Sequence, residues 1–241
     1  MSTRQTCMRF KPGITASFLR CLITLVNKIS SLFGIIVSPT MYTIGRVRER
    51  WVYNYDYFRF SSLELVAHEL NERYAEIGGC VAELGVWKGE FAQFINRLFP
   101  DRTLYLFDTF DGFDRRNFSS ENESSLVDAD FSDTSVEIVL KKMKYREKCI
   151  VRKGFFPETA FGLEAEEYIF VSIDADLYEP IYEGLKYFYP RLIKGGYIFI
   201  HDYNNRACFD GVQKAVKLFC EENDAQIIPL SDYIGSAVLV K

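Results

Sequence analysis

The chain alternates short apolar segments with helical segments, and this alternation constrains its fold more than any other feature. The segments predicted as parallel strands are CVAELGV, TLYLFDTF, CIVRKGFF, YIFVSIDAD and GGYIFIHDY. Stretches with helix periodicity lie between them, such as GEFAQFINRLF and EPIYEGLKYFYPRL. Strands that alternate with helices predict an α/β protein with a doubly wound, mostly parallel sheet. The last two predicted strands, AQIIPLSD and GSAVLVK, have no helix between them, and we expect them to pair antiparallel.

Each predicted parallel strand ends in polar or charged residues. The strand ends are AELGVWKGE, LFDTFDGF, RKGFFPET, IDADLYEP and IHDYNN. In a doubly wound sheet, ligands bind beyond the carboxyl ends of the strands. Four acidic ends at one edge therefore favour a binding site over a set of solvated loop charges.

The turn after the first strand carries Glu83, Gly85 and Gly89, but it is not the G-x-G-x-x-G motif. Gly85 permits a close approach of the backbone to a ligand, and Gly89 permits tight packing at the start of the next helix. Asp108 follows Glu83 by 25 residues, a spacing that suits a carboxylate bound to ribose hydroxyls. Because Glu83 would repel a pyrophosphate and attract a cation, the pattern favours S-adenosylmethionine over a dinucleotide.

In the stretch VSIDADLYEP, a predicted apolar strand ends at two carboxylates, Asp174 and Asp176. Buried charge is costly unless a metal ion, a proton or a cationic ligand neutralises it. Asp174 and Asp202, with a third group from His201 or Asn204, predict an oxygen-rich site for Mg²⁺. Asp176 would then act as the general base that takes the proton from a substrate hydroxyl.

His201 has three open roles: a metal ligand, a proton relay, or a structural neighbour of Asp202. Imidazole is a poor ligand for Mg²⁺ but an acceptable one for Mn²⁺ or Zn²⁺, and Mn²⁺ is the alternative metal that we retain. The only other histidine, His68, falls within a predicted helix and is expected to be structural.

The charge distribution argues against nucleic-acid binding. The net charge is −4, but residues 1–50 carry eight basic residues and one acidic residue, and the remainder carries 21 basic and 32 acidic residues. An acidic body lacks the basic surface that nucleic acids require. Six scattered cysteines without a C-x-x-C motif favour reduced thiols in a cytoplasmic protein.

The stretch FLRCLITLVNKISSLFGIIV, residues 18–37, is apolar but is interrupted by Arg20 and Lys28. It has no cleavage site of the signal-peptide type. We expect a helix that packs on the body or on a second subunit of a homo-oligomer. A peripheral membrane helix is the first alternative, because Arg46, Arg48 and Arg50 follow it, and a true membrane span is the second.

The region after this segment predicts a helix that starts at Ser61 or Ser62, in SSLELVAHELNERYAEI. The aromatic run YNYDYFRF, residues 53–60, precedes it and predicts packing in the core or against a subunit, with stacking on a sugar as the alternative. We therefore divide the chain into a basic, amphipathic helical extension, 1–56, and a domain, 57–241.

Several of these motifs resemble the macrocin O-methyltransferase family, whose bacterial members use S-adenosylmethionine to methylate sugar hydroxyls on antibiotics and related glycosides. The stretches that carry the resemblance are VAELGVWKGEFAQFINRLFPDRTLYLFDTFDGF, FSDTSVEIV, RKGFFPETA, VSIDADLYEPIYEGLKYFYPRLIKGGYIFIHDYNN and GVQKAV. The likeness runs from about Tyr57 to Lys241. It implies a Rossmann-like class I methyltransferase fold, with a seven-stranded sheet whose last strand is antiparallel and with helices on both faces.

The resemblance also implies which residues surround the cofactor. They are Glu83, Gly85, Asp108, Thr109, Phe110, Asp133, Thr134, Ser135 and Asp174. Glu83 and Gly85 would line the methionine end, and Asp108 would hold the ribose. The stretch 133–135 would lie near the adenine.

The same resemblance implies that Asp174 and Asp202 hold Mg²⁺ and that Asp176 is the base. Several relatives have two consecutive aspartates where this chain has His201-Asp202. This departure leaves the third ligand open, and with it the identity of the metal.

Two other classes of function are compatible with parts of the sequence. A nicotinamide-dependent oxidoreductase would share the Rossmann-like sheet but needs the missing G-x-G-x-x-G motif. A catalytically silent relative would have lost the acidic strand ends, which are present here. The acceptor is expected to be a sugar or glycoside that loop 111–133 and the N-terminal segment cover, and no motif specifies which sugar.

Overall fold

The fold is seen in a computed structural model that describes residues 14–33, 57–118, 131–205, 210–232 and 235–241. The chain forms two compact units, residues 1–49 and residues 50–241. The predicted boundary between residues 56 and 57 stays a prediction.

The first unit contains helix α1, Ile14–Ser30, followed by a short 3₁₀ turn, Ser31–Phe33. Apolar side chains at helical spacing, including Leu25 and Ile29, are exposed along it. Within the part of the chain that the structure describes, no helix combines the length and the apolar character needed to cross a membrane. Residues 34–37 of the predicted apolar segment lie outside the described residues.

The second unit is a seven-stranded sheet with helices on both faces. Its strands are β1 Cys80–Leu84, β2 Leu104–Asp108, β3 Cys149–Lys153, β4 Tyr168–Ile173, β5 Leu192–Ile200, β6 Ile227–Pro229 and β7 Ala237–Val240. Its helices, in the described residues, are α2 Tyr57–Arg73, α3 Ala92–Leu98, α4 Val136–Lys142, α5 Tyr178–Arg191 and α6 Gly211–Asn223. The order is β3-β2-β1-β4-β5-β7-β6, and β7 is antiparallel to both of its neighbours. This confirms the predicted Rossmann-like fold and the antiparallel pairing of the last two strands.

The strand order reverses at β1, which lies between β2 and β4. Successive crossovers leave this point in opposite directions, and the crevice that opens there is where doubly wound sheets bind ligands. β5 lies directly beside β4, as expected. The carboxyl ends of β1, β2, β4 and β5 therefore converge on one edge.

The core has one apolar cluster on each face of the sheet because side chains alternate along each strand. On β4, Phe170 belongs to the cluster that includes α2 and α3, whereas Val171 and Ile173 belong to the cluster that includes α5 and α6. Every residue of β4 is buried. A strand buried on both faces is mostly apolar and carries no charge, so the two carboxylates that follow β4 contrast with it.

Helix α2 begins at Tyr57, so the predicted start at Ser61 or Ser62 is wrong. The aromatic run supplies the first helical turn instead of preceding it. Phe60 is buried, and its ring packs edge-on against Phe91 and Phe94 at centroid distances of 5.1 and 4.4 Å. Burial of that ring stabilises the first turn of the helix. Phe58 is half exposed, and residues 53–56 lie outside the described residues.

Candidate active site

A cavity of about 470 Å³ lies at the carboxyl edge of the sheet. Its size falls within the range of about 300–1,000 Å³ typical of small-molecule sites. The predicted site residues that line it are Glu83, Gly85, Asp108, Thr109, Asp174, Asp176, His201 and Asp202. Their convergence follows from the strand order, since they are the ends of four adjacent or neighbouring strands.

Asp174, His201 and Asp202 form a tight cluster in which one atom of each lies within 4.8 Å of the others. His201 Nδ1 is 2.9 Å from Asp174 Oδ1 and 2.7 Å from Asp202 Oδ2. The sheet fixes this geometry, because the His201 backbone N–H donates to the Ile173 carbonyl at 2.9 Å. Two carboxylates and an imidazole form a donor set suited to a divalent cation. Asn204, the other candidate for a third ligand, does not line the cavity.

The carboxyl groups of Asp174 and Asp176 have opposite electrostatic environments. Burial acts to raise the pKa of Asp174, but the charges of His201 and Arg59 hold that pKa below its usual value. The pKa of Asp176 is raised well above its usual value by burial and by the neighbouring charges of Asp174 and Asp202. A pair of carboxyl groups with separated pKa values suits an ionised ligand and a proton-accepting base.

The pKa of His201 is raised to about 10. Burial alone would lower it, but the adjacent Asp174 carboxylate outweighs that effect, and the hydrogen bonds to Asp174 and Asp202 add to it. The imidazole therefore carries a proton at neutral pH when no metal is bound. A metal ion has to displace this proton before Nδ1 can act as a ligand.

The edge of the cavity holds several residues in left-handed backbone conformations. Asp176 has a φ of 57°, Asp202 of 59° and Trp87 of 45°. Residues other than glycine adopt these angles at a cost of about 1–3 kcal/mol and are concentrated at functional sites. The strain at Asp176 and Asp202 is therefore a second, independent sign that this edge is built for function.

Gly85 is required by a close approach within the protein itself. Its φ is 83°, and a Cβ atom there would lie 1.9 Å from the carbonyl oxygen of Asp174. The Asp174 N–H in turn donates to the Leu84 carbonyl at 2.8 Å. The glycine therefore allows the ends of β1 and β4 to come together, while its predicted contact with the cofactor stays a prediction.

Asp108 links the ends of β1 and β2. Its carboxylate accepts the backbone N–H groups of Val86, Trp87 and Phe110 at 2.7, 2.8 and 2.6 Å. Thr109 Oγ1 donates to the Gly112 carbonyl at 2.5 Å. Phe110 is buried and does not line the cavity. A carboxylate can accept more than three hydrogen bonds, so the predicted contact of Asp108 with ribose remains open to test.

Asp133, Thr134 and Ser135 do not line the cavity. Asp133 binds the ammonium of Lys88 and accepts from Trp87 Nε1 at 3.0 Å, and the Thr134 hydroxyl donates to the Trp87 carbonyl. Ser135 caps α4 by accepting the N–H of Ile138 at 3.2 Å. These contacts hold the Trp87 turn in place, and the predicted position of the stretch near the adenine stays a prediction.

Arg59 is the main site residue that the sequence reasoning missed. It lines the cavity, is 5% exposed, and lies over the Phe91 ring at 3.9 Å. Its Nη1 donates to Asp174 Oδ2 at 3.1 Å, and its Nη2 donates to Ser172 Oγ at 3.3 Å. The signal was the helical period: Arg59 precedes Leu63 by four residues and so shares the buried face of α2.

Aromatic rings form another part of the wall that was not predicted. Trp87, Phe113 and Phe131 line the cavity. The Phe131 ring packs edge-on against Trp87 and Phe113, at centroid distances of 5.7 and 5.0 Å. Phe113 and Phe131 bracket a stretch whose central residues, 119–130, lie outside the described residues.

Residues 58–233 match the family model for macrocin O-methyltransferase. Two characterised proteins are similar over part of the chain. Mycinamicin III 3''-O-methyltransferase of Micromonospora griseorubida is 28% identical over 155 residues, which are 57% of this chain and 60% of that protein. The 8-demethyl-8-(2,3-dimethoxy-alpha-L-rhamnosyl)-tetracenomycin-C 4'-O-methyltransferase of Streptomyces olivaceus is 25% identical over 149 residues, which are 56% of this chain and 57% of that protein. The matched region thus spans less than two thirds of the length of these relatives.

Solved methyltransferase structures share the fold. The O-methyltransferase NovP superposes with a TM-score of 0.65 at 20% identity, over 76% of this chain and 79% of its own. The calicheamicin methyltransferase CalS11 superposes with a TM-score of 0.60 at 17% identity, over 100% of this chain and 98% of its own. At these identities the similarity establishes the fold alone.

Proposed function

The chain belongs to the macrocin O-methyltransferase family, and we propose that it transfers a methyl group from S-adenosylmethionine to a hydroxyl of a sugar or glycoside. The observation that carries this proposal is the meeting of Asp174, Asp176, His201 and Asp202 in the lining of a cavity of about 470 Å³. The family match favours methyl transfer over the nicotinamide-dependent alternative.

The charge around the cavity supports a cationic cofactor. Glu83 is 2% exposed, lines the cavity, and its Oε2 has no hydrogen-bond partner. A buried, unpaired carboxyl oxygen is costly and indicates a missing partner. S-adenosylmethionine supplies the methyl group on a sulfonium sulfur and carries an ammonium group, so it brings positive charge to an acidic site.

The cluster of Asp174, His201 and Asp202 supports a divalent metal. Its two carboxylates and one imidazole fit Mn²⁺ better than Mg²⁺, although both remain candidates. When bound, the ion supplies Lewis-acid polarisation of the acceptor hydroxyl. Asp174 and Asp202 would hold it through oxygen, and His201 would hold it through Nδ1.

Asp176 is the proposed general base. Its raised pKa makes the carboxylate a stronger base than that of an ordinary aspartate, which favours proton transfer from a hydroxyl. Its left-handed backbone fixes the residue at the cavity edge. The displacement at the methyl carbon then depends mainly on positioning the hydroxyl oxygen in line with the sulfonium.

Two observations support a sugar as the acceptor. According to their names, the two similar proteins methylate mycinamicin III and a rhamnosyl-tetracenomycin. The rings of Phe113 and Phe131 offer apolar faces on which the C–H groups of a sugar can pack. These two residues lie near the two ends of loop 111–133, which is predicted to cover the acceptor.

The first test is calorimetric titration with S-adenosylmethionine and S-adenosylhomocysteine. Methyl transfer to a panel of nucleotide sugars and glycosides follows, with and without EDTA and with Mn²⁺ or Mg²⁺ added back. We expect cofactor binding and metal-dependent methylation of a sugar. Absence of cofactor binding would contradict the whole proposal, whereas full activity after metal removal would contradict only the metal assignment.

Asp176→Asn tests the base. We expect turnover to fall by roughly 100-fold or more, as for removal of a general base, with cofactor affinity close to that of the wild type. Asp210→Asn is the matched control, because Asp210 is an exposed aspartate at the start of α6. An Asp176→Asn variant with full activity would remove this residue from the role.

A further inference from the structure

Arg59 is a buried cation that reaches the candidate metal site from a helix outside the sheet. It lies in the first turn of α2, 115 positions before Asp174. Its Nη1 donates to Asp174 Oδ2 at 3.1 Å, and its Nη2 donates to Ser172 Oγ at 3.3 Å. The Phe91 ring lies against the guanidinium, with its centroid 3.9 Å from Cζ. Contacts with β4, with the end of β4 and with the ring before α3 therefore fix the position of this charge.

The two carboxylate oxygens of Asp174 face different partners. Oδ2 accepts from Arg59, whereas Oδ1 lies 2.9 Å from His201 Nδ1. That same nitrogen lies 2.7 Å from Asp202 Oδ2, so Oδ1 is the oxygen on the side of the other two candidate ligands. A carboxylate can offer a cation either one oxygen or both. Because the guanidinium holds Oδ2, Asp174 has Oδ1 alone to offer.

We propose that Arg59 is a positioning residue of the metal site, which restricts Asp174 to one ligand oxygen and keeps the affinity for a divalent cation low. This inference rests on the proposed function, since it concerns the residue behind one of the proposed metal ligands. The guanidinium also compensates the buried carboxylate of Asp174, which would be costly to bury without a partner.

Two effects of Arg59 on the metal affinity have opposite signs. The hydrogen bond to Asp174 favours metal binding, because the carboxylate is already ordered. The positive charge opposes it, because a guanidinium in contact with a ligand carboxylate repels a divalent ion on that carboxylate. In a buried site this repulsion exceeds the entropy of ordering one short side chain. Loss of the charge also favours the competing proton on His201, but by less, because a proton carries half the charge of the ion.

The sign of the change therefore identifies the role. Removal of Arg59 should tighten metal binding, whereas removal of a neutral hydrogen-bond partner behind a metal ligand typically weakens it by roughly 10- to 100-fold. A purely structural role for Arg59 would also weaken metal binding when the residue is removed, because a loosened site holds its ligands less well.

Calorimetric titration of the cofactor-free protein with Mn²⁺, at one fixed pH, measures this sign. Arg59→Met removes the charge and both hydrogen bonds while keeping an apolar stem, and we expect it to bind Mn²⁺ roughly tenfold or more tightly than the wild type. Arg59→Lys keeps the charge and should bind Mn²⁺ with close to wild-type affinity. Arg73→Met is the matched control and should leave the affinity unchanged, since Arg73 lies on the same helix, is exposed and pairs with Glu69.

Turnover at saturating Mn²⁺ tests the positioning of Asp174 separately from metal affinity. In Arg59→Met the carboxylate is free to turn, so we expect kcat to fall roughly tenfold or more even though the metal binds more tightly. Affinity for S-adenosylmethionine, measured without metal, should stay close to that of the wild type. Arg59→Lys should recover part of the lost turnover, because its ammonium can still donate to Asp174.

The inference is overturned if Arg59→Met binds Mn²⁺ no more tightly than the wild type, if its turnover is unchanged, or if Arg59→Lys binds Mn²⁺ as tightly as Arg59→Met. A wild type that binds no divalent metal overturns the inference and the metal assignment but leaves methyl transfer intact. A wild type that binds Mn²⁺ but no S-adenosylmethionine contradicts the proposed function, and the Mn²⁺ affinities still decide the inference.

If Arg59→Met does not fold, Arg59→Gln takes its place, because it also lacks the charge and should also tighten Mn²⁺ binding. Thermal denaturation checks the folding of each variant. If neither variant folds, the inference is overturned, because Arg59 is then required by the fold and not by the metal site.

Discussion

The burial of Glu83 lowers the stability of the folded protein. Burial is the largest cause that raises its pKa well above the usual value, and the charges of Asp174 and Asp108 raise it further, against the lowering effect of Arg59. A carboxyl whose pKa is higher in the folded state binds more protons when folded. The stability of the protein therefore falls as pH rises from the unfolded pKa, near 4.3, towards the folded pKa.

Glu83→Gln should remove this loss of stability. We expect the ligand-free variant to be more stable than the wild type at pH 8, and to show a flatter dependence of Tm on pH above pH 5. Each pH unit between the two pKa values costs the wild type up to about 1.4 kcal/mol. Thermal denaturation from pH 5 to pH 8 measures the difference, with the exposed Glu221→Gln as control. Equal slopes for Glu83→Gln and the wild type would refute the argument.

His201 is the proposed third metal ligand and would govern which metal the site prefers. At pH 7 its imidazole holds a proton, because its pKa is raised to about 10. Release of that proton on metal binding makes the affinity increase with pH, by up to roughly tenfold per unit below that value. His201→Asp removes the proton and supplies a third oxygen ligand.

We therefore expect the wild type to bind Mn²⁺ more tightly than Mg²⁺ and more tightly at pH 8 than at pH 6. His201→Asp should lose most of this pH dependence and gain affinity for Mg²⁺ relative to Mn²⁺. Calorimetric titration with each metal, without cofactor or acceptor, measures this. His68→Asp, at an exposed position of α2, is the control. A variant whose Mg²⁺ to Mn²⁺ preference equals that of the wild type would contradict a ligand role for His201.

The individual site residues differ in how far the sequence could predict them. Asp174 and Asp176 were predictable because a run of buried apolar residues stops abruptly at two charges, and β5 brings Asp202 beside them. Arg59 was not predictable in the same way, because its partner Asp174 is 115 positions away and no local motif joins them. Helix periodicity and strand ends can be predicted from local sequence patterns. A contact between a helix and a distant strand depends on tertiary packing and cannot be predicted in this way.

At the scale of elements, the strands of the sheet were predicted well and the first helix of the domain was not. Strand segments are short, apolar and bounded by charge or glycine, so their period is distinct. The start of α2 was misplaced because an aromatic run resembles a strand or a packing strip, and because a serine pair offered a cap. Phe60, Leu63, Ala67 and Leu70 nevertheless form one buried stripe once the helix starts at Tyr57.

Helix α1 has an exposed apolar face. Leu22, Leu25 and Ile29 are 46%, 59% and 61% exposed and lie at helical spacing on one side. Residues 1–50 carry eight basic residues and one acidic residue. An apolar helix face accompanied by excess positive charge is typical of a helix that lies on an anionic membrane surface.

Under the peripheral-membrane alternative, the full chain should bind vesicles that contain phosphatidylserine and should bind phosphatidylcholine vesicles weakly. Ile29→Glu should reduce co-sedimentation by roughly tenfold, because a charge on the apolar face opposes burial. Thr24→Glu adds the same charge on the opposite side of α1 and should reduce binding far less. If the chain binds neither kind of vesicle and Ile29→Glu instead changes its elution volume in gel filtration, the apolar face forms the interface of a homo-oligomer and the membrane prediction is wrong.

At the scale of the whole molecule, the first 50 residues and the remainder of the chain carry net charges of opposite sign. The first 50 residues carry a net +7 and the remainder a net −11, from counts of eight basic against one acidic and 21 basic against 32 acidic. The family match, residues 58–233, lies entirely in the acidic part of the chain. The core of that part includes α2, whose Leu63 and Leu70 are fully buried.

Truncation tests whether residues 57–241 form an independent domain. A chain of residues 57–241 keeps Arg59 and the buried face of α2, so we expect one cooperative thermal transition and S-adenosylhomocysteine affinity close to that of the full chain.

A chain of residues 80–241 exposes the surface that Leu63, Ala67 and Leu70 cover and lacks Arg59. Loss of three buried side chains of this kind costs several kcal/mol, at about 1.5–3 kcal/mol for each leucine, which is enough to unfold a domain of ordinary stability. We therefore expect the shorter chain to show no transition. If the chain 80–241 folds and binds the ligand normally, α2 is not needed for the domain to fold. If the chain 57–241 does not fold, part of residues 1–56 belongs to the core of the domain.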